Sequence, residues 1–262
     1  MPKSDVSSWY GWMPDRPDHR DKLYAAIAAP PKKLPSKVDL RNGCSAVENQ
    51  GQLGSCTANA LVGNLEFLEK KAGHAVTDLS RLFIYYNERA MEGTINDDVG
   101  AVIRDGVRSL VKLGVCTEKK WPYKISKFAQ KPSATCYTEA KNHQVTSYHR
   151  ILSLQEMKQC LAEGYPFVFG FSVYVGFESP QVAKTGQLNL PGPDEPGAGP
   201  DGQPAGHAVM AVGYDDSANR VLVRNSWGTD WGIAGYFTMP YDYIGDKNLA
   251  DDFWTLRAFE NQ

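Results

Sequence analysis

The stretch Asn225-Ser226-Trp227-Gly228-Thr229-Asp230-Trp231-Gly232 places two Trp-Gly pairs within eight residues, and the rest of the chain is best read outward from it. It continues a β-type run from Val221 to Asn225, flanked by others at Phe167 to Val175, His207 to Tyr214 and Gly235 to Met239. On a strand, residues two apart share a face, so Asn225 and Trp227 are expected to point the same way. An indole so placed keeps water from a hydrogen bond made by the asparagine amide.

Upstream, Pro191 to Pro204 holds five Pro and four Gly in 14 residues, which reads as an exposed loop ending three residues before His207. One helix is expected in this half, opened by Ser153 with Glu156 as a capping box and closed by Gly164. The first half is helical. Leu61, Leu65 and Leu68 recur at i, i+4 and i+7 in a helix over 56–71 with Ser55 as N-cap. Further helices are predicted over 80–90 and 101–113, the latter with Ile103, Val107, Leu110 and Val111 inward and Gly114 as its stop. A helical part followed by a β-rich part implies an α+β fold with a cleft between two lobes. The lobes are placed at 34–145 and 146–262, the boundary lying near Asn142 to Tyr148. Residues 1–33 form an arm with too few apolar residues for a core. It carries Trp9, Tyr10 and Trp12, a charged stretch from Asp15 to Lys22, and a short helical piece from Leu23 to Ala29 stopped by Pro30-Pro31.

The 262 residues suffice for one large domain or two modest lobes. A hydrophobic share of 42% against 22% charged residues excludes wholesale disorder, and a net charge of −2 argues against a nucleic-acid partner. No apolar run approaches the ~20 residues of a membrane-spanning helix, so no membrane partner is expected. Met1 to Asp5 lacks the apolar core of a secretory signal, leaving the compartment unknown: internal, or exported after loss of a signal. The five cysteines leave at least one thiol free. Cys116 and Cys136 are candidates for pairing, Cys160 is expected as a buried core thiol, and no Cys/His/Asp/Glu spacing resembles a metal site.

The chemistry gathers on four residues. Cys56 sits where the turn from Gly51 to Ser55 meets a helix, and helix N–H groups there favour thiolate over thiol. A nucleophilic thiolate needs a proton shuttle, which His207 supplies, and Asn225 accepts the other imidazole N–H and fixes the tautomer. The Gln50 amide and the Cys56 backbone N–H are the candidate oxyanion donors.

With these segments in hand, the chain resembles the papain family of cysteine peptidases, and its bacterial branch most. The resemblance rests on Gln50-Gly51-Gln52-Leu53-Gly54-Ser55-Cys56, His207-Ala208-Val209 and Asn225-Ser226-Trp227-Gly228. Leu34-Pro35-Ser36-Lys37-Val38-Asp39-Leu40-Arg41 and Trp121-Pro122-Tyr123 support it, and His207 follows Cys56 by 151 residues. It implies a papain-like two-lobe fold, helical lobe then barrel-like β lobe, and an endopeptidase working through an acyl-enzyme. It implies a thiolate–imidazolium pair, with a cysteine pKa of ~3–4 in papain itself. Cys56 would be nucleophile, His207 acid–base, Asn225 orienter and Gln50 oxyanion donor. Gly100 aligns with glycines that bind substrate backbone, Gly206 and Ala208 leave room for an apolar side chain, and Trp227 lines the site. A peptide or protein substrate, no cofactor and a monomer follow. An amidase or transpeptidase would use the same chemistry, and a silent binding protein on this frame is the alternative in another class. The four intact catalytic residues favour the peptidase.

The sequence departs from the family in three places. Leu53 replaces a disulfide cysteine, and Thr57 replaces the aromatic residue after the nucleophile. The 33-residue arm is too short for a prosegment of roughly a hundred residues, yet extended it spans up to ~110 Å. Self-inhibition is therefore expected, with Trp9, Tyr10 and Trp12 docking and the arm partly covering the cleft. Packing elsewhere for stability is the alternative.

Overall fold

The apolar pattern of residues 56–71 goes beyond one stripe. In the computed structural model, which describes residues 10–28, 33–75 and 77–260, every residue from Cys56 to Glu69 is buried. Helix α1 (Cys56–Lys71) is therefore central, wedged between other helices and a sheet. Around it pack α2 (Arg81–Glu92) and α3 (Ile103–Lys112). Ser80 caps α2 by accepting from the Phe83 N–H, and left-handed Gly93 ends it. Ser55 does not cap α1; its hydroxyl pairs with the Tyr123 hydroxyl at 2.5 Å and accepts from the Asn59 side chain. The predicted helix at 101–113 begins two residues late, because Ala101–Val102 is a short strand, β3. Gly114 sits left-handed at φ 73° beyond its end.

One seven-stranded sheet carries the rest. Its strands are β2 (Lys37–Asp39), β4 (Gln144–Arg150), β5 (Phe167–Val173), β6 (Ala205–Asp215), β7 (Arg220–Arg224), β8 (Tyr236–Pro240) and β9 (Ala250–Glu260). The order is β4-β9-β5-β6-β7-β8, with every pair antiparallel and β2 added beside the far end of β6. The α+β expectation holds, and the barrel-like β lobe is an open sheet, since β4 and β8 do not pair. A register shift between Ala211 and Gly213 lets β6 exchange neighbours, and Gly213 leaves room for the Val38 carbonyl. Strands β4 and β9 were not foreseen. The first is polar and irregular, and the second carries Asp251-Asp252 directly after its first residue, with Asp252 at φ 59°.

On β5 the alternation is complete. Phe167, Phe169 and Phe171 enter an aromatic core shared with Phe177, Phe237 and Phe253, while Val168 and Gly170 face the other way. The helix after Ser153 forms as predicted, α4 (Leu154–Ala162), with Ser153 accepting from the Glu156 N–H. In the 191–204 loop, Gly197 is buried and pairs with Tyr174, so the loop is tied to the body as well as exposed. All five cysteines are buried and free, so Cys116 and Cys136 do not pair as a disulfide.

The arm crosses the molecule. Trp12–Met13 (β1) pairs in parallel with β3, Leu23 bridges to Arg150, and Tyr24 is fully buried. The helical piece expected over Leu23 to Ala29 is a single 3-10 turn, Tyr24–Ala26. Trp9 and Pro30-Pro31 lie outside the described residues.

Candidate active site

The turn before α1 is held from outside: the Gly54 N–H donates to Asp98 at 3.0 Å, and the Tyr85 hydroxyl donates to the same carboxylate. That places Cys56 as the first residue of α1, with its sulfur accepting from the Ala208 N–H at 3.3 Å. Ala208 follows His207 on β6, so this contact ties the nucleophile to the strand that carries the imidazole.

The His207 ring is oriented by Asn225, whose Oδ1 lies 2.8 Å from Nε2. The same Oδ1 accepts from the Ser226 N–H at 2.9 Å, which fixes it as an acceptor. Nε2 therefore carries the proton and Nδ1 is the basic nitrogen. Nδ1 has no hydrogen-bond partner among the described residues. Asn225 and Trp227 stand past the end of β7 and not on a strand, which corrects the same-face argument. The segment instead pairs with residues 48–50: Gln50 N–H donates to Ser226 O and Gly228 N–H to Glu48 O, both at 2.9 Å. The Trp227 ring still lies over His207, 5.1 Å away and tilted by 36°. Gln50 is buried and fixed at both ends of its amide, accepting from Ser226 Oγ at 2.6 Å and donating to Leu53 O at 2.9 Å.

The arm lies across these groups. Tyr10 meets His207 edge-on at 5.8 Å, touches Trp227 at 6.0 Å, and donates its hydroxyl to Glu178 at 2.5 Å. Gly11 passes over the sulfur, with its backbone N–H directed at Cys56 and its carbonyl accepting from Ala101 N–H at 2.7 Å. A side chain at Gly100 (φ 80°) would meet the Gly11 oxygen at 2.0 Å. Trp12 then fills a hollow whose floor is glycine. A Cβ at Gly170 would lie 1.9 Å from its indole, and one at Gly206 would lie 2.0 Å from its carbonyl oxygen. Gly100, Gly206, Ala208 and Trp227, the candidates for substrate contact, thus all lie on the path of the arm or beside it.

Under this cover Cys56 and His207 have no exposed surface. Burial pushes the Cys56 thiol up to about 12, against the backbone N–H groups of Ala208, Gly11 and Thr57 that pull it down. Burial lowers His207 to about 4, and the Asn225 bond offsets this only partly. With the arm down, burial works against the charged forms of both groups, since the arm covers the sulfur and the imidazole.

Several contacts around the site were not legible in the sequence. Thr57 donates to Glu88 at 2.6 Å, a fully buried carboxyl whose pKa burial raises well above its usual range. Leu53, in place of a disulfide cysteine, is buried in the core. Asp252, which accepts from Trp12 Nε1 at 3.1 Å and from the Asp15 N–H at 2.7 Å, had as its only signal an Asp-Asp pair inside a hydrophobic C-terminal run.

A model of the papain family of cysteine proteases matches residues 34–253. An uncharacterized peptidase C1-like protein of Acanthamoeba polyphaga mimivirus is 40% identical over 98% of this chain and 89% of its own. Cathepsin L of Sarcophaga peregrina is 30% identical over 88% of this chain and 67% of its own. Among solved structures, xylellain, a cysteine protease from Xylella fastidiosa, superposes with a TM-score of 0.87 at 42% identity. That match covers 96% of this chain and 97% of xylellain.

Proposed function

The chain belongs to the papain family of cysteine proteases and is a cysteine endopeptidase acting on peptide substrates, and on that premise we propose which residues carry the reaction and how it is held in check. Cys56 is the nucleophile. Its thiolate attacks the peptide carbonyl, while the Cys56 backbone N–H and the Gln50 amide stabilise the oxyanion. His207 Nδ1 takes the thiol proton and returns it to the leaving amine, and water then releases the acyl-enzyme. Asn225 keeps Nδ1 turned to the sulfur. The observation that carries this reading is the Asn225–His207 hydrogen bond at 2.8 Å beside a sulfur anchored on Ala208.

Residues 1–33 act as the inhibitor of the same chain. The support is Gly11 on the sulfur, Tyr10 on the imidazole and Trp12 in the glycine-floored hollow. Gly100, Gly206, Ala208 and Trp227 then contact the substrate that replaces the arm. Lobes at 34–145 and 146–262 flank the cleft, and the chain acts as a monomer. Among the described residues no helix is long and apolar enough to cross a membrane.

Iodoacetamide labelling of each cysteine, read by peptide mass spectrometry on the full chain, tests the reading. Cys56 should label slowly with the arm in place, and a Tyr10→Ala/Trp12→Ala double variant should label Cys56 at least tenfold faster and cleave peptides faster. Equal labelling of Cys56 in both chains would remove the inhibitory role. Undiminished peptidase activity in Cys56→Ala would remove the nucleophile.

A further inference from the structure

Beyond the catalytic groups, the arm delivers charge to a second place on the body. Arg104, at the start of α3, forks onto Asp21 of the arm, with Nε at 3.0 Å from Oδ1 and Nη2 at 2.7 Å from Oδ2. Its Nη1 donates to the Arg16 carbonyl at 2.7 Å, and Asp15 lies 3.7 Å from Nη2. Every one of these partners belongs to the arm. From the body, Arg104 receives the face of Trp254, 5.8 Å away, and the longer-range attraction of the Asp252 carboxylate. The α3 helix has no side-chain cap of its own, and the Arg104 N–H donates instead to Asp15 Oδ1 at 3.3 Å. Arg150, on β4, reaches Asp21 at 3.2 Å and Asp15 at 3.4 Å, and also binds Asp252 at 2.7 Å. At the rim, Arg108 faces Asp18 at 3.7 Å. Three arm aspartates thus meet three body arginines.

When the arm leaves, Asp15, Asp18 and Asp21 leave together. The body retains Asp252 and Asp251 opposite Arg150, with Asp252 also acting on Arg104 at longer range, but Arg104 loses its hydrogen-bonded carboxylate Asp21, and α3 loses the Asp15 oxygen that accepts from the Arg104 N–H. A guanidinium fork stripped of its partner has a strong preference for another carboxylate. The geometry points to an acidic-peptide subsite built on Arg104, with Arg150 beside it, which the arm fills in the resting chain and an acidic stretch of the substrate fills in the working enzyme. The residue over the sulfur is Gly11, so Asp15 and Asp21 set the reach. The subsite takes an Asp or Glu four to ten residues along the peptide from the bond being cut. This rests on the reading that Cys56 cuts peptides and that the arm withdraws.

The test uses the full chain and fluorogenic peptides that differ only in Asp or Asn at each position four to ten residues from the scissile bond. The fraction of molecules with the arm withdrawn affects both peptides equally, so the ratio of kcat/KM values is independent of it. At low salt the best-placed Asp should win by about tenfold, mostly through KM, and the advantage should shrink toward parity at about 0.5 M NaCl. Arg104→Gln should abolish the preference, and Arg104→Glu should transfer it to a Lys-bearing peptide. Circular dichroism and Cys56 labelling check that the variants fold, and the wild-type Asp/Asn ratio decides the matter without them. Cleavage of all peptides with equal efficiency overturns the acidic subsite and leaves the protease reading standing. No cleavage of any peptide by the Tyr10→Ala/Trp12→Ala chain, with its Cys56 inert to iodoacetamide, overturns both.

Discussion

Asn225 shows how much one amide can settle. Its oxygen is committed twice as an acceptor, to His207 and to the Ser226 N–H, so the imidazole has no choice of tautomer. Replacing it with alanine leaves Nε2 without that acceptor and lets the ring turn. Asn225→Ala should lower kcat about a hundredfold while changing KM little, because the residue orients a proton carrier and does not bind substrate. A fall confined to KM would place Asn225 in substrate binding instead. Gln50 and Cys56 were readable from the sequence as chemistry, but their surroundings were not. That Thr57 would reach a buried Glu88, 31 residues on, depends on how α1 and α2 cross, and no local pattern encodes it.

At the scale of elements, β5 and β6 present two faces with different tasks. One face is phenylalanine and core; the other exposes Gly170 and Gly206 to the Trp12 residue. A methyl group at Gly170 would collide with indole atoms before anything else, since its three nearest neighbours are all Trp12 atoms. Gly170→Ala should therefore destabilise the docked arm by about 1–3 kcal/mol, as overpacking does, and raise Cys56 labelling roughly ten- to a hundredfold. An unchanged labelling rate with the protein still folded would mean that Trp12 is not what seats the arm. Elements also mark the limit of legibility. The central helix, the capping box at Ser153 and the four apolar strands follow from periodicity and punctuation. Strands β4 and β9 do not, because their pairing satisfies polar residues and an acidic start that local propensity counts against them.

For the molecule as a whole, the arm and body are joined by an ionic network that is out of water. Asp15 is pushed up to about 7, chiefly by burial and then by the Asp252 charge, against Arg104, Trp254 and Arg150 that pull it down. Asp21 and Asp251 complete the charged surroundings through Arg104 and Arg150. In a withdrawn arm Asp15 returns to its ordinary value of 3.8. Docking thus takes up a proton between these two values. The contribution is fully present below about pH 4 and is lost as pH rises through about 7. The Ala101 N–H, bonded to the Gly11 carbonyl, reports the docked state. Its hydrogen-exchange protection, corrected for the intrinsic rate, should fall at least about tenfold between pH 5 and pH 8. A protection that does not vary with pH would show that Asp15 docks ionised.

The tether between arm and body adds an element of history. While Ala28 and Lys33 belong to one chain, the arm faces its seat at an effective concentration on the order of millimolar, and a competing peptide must exceed that to enter. A single cut between them converts the same contacts into an ordinary bimolecular encounter. At a protein concentration far below the dissociation constant of the freed segment, a segment that drifts off does not return. On the proposal that the arm inhibits its own chain, the first cleavage of that link is the step the molecule cannot undo.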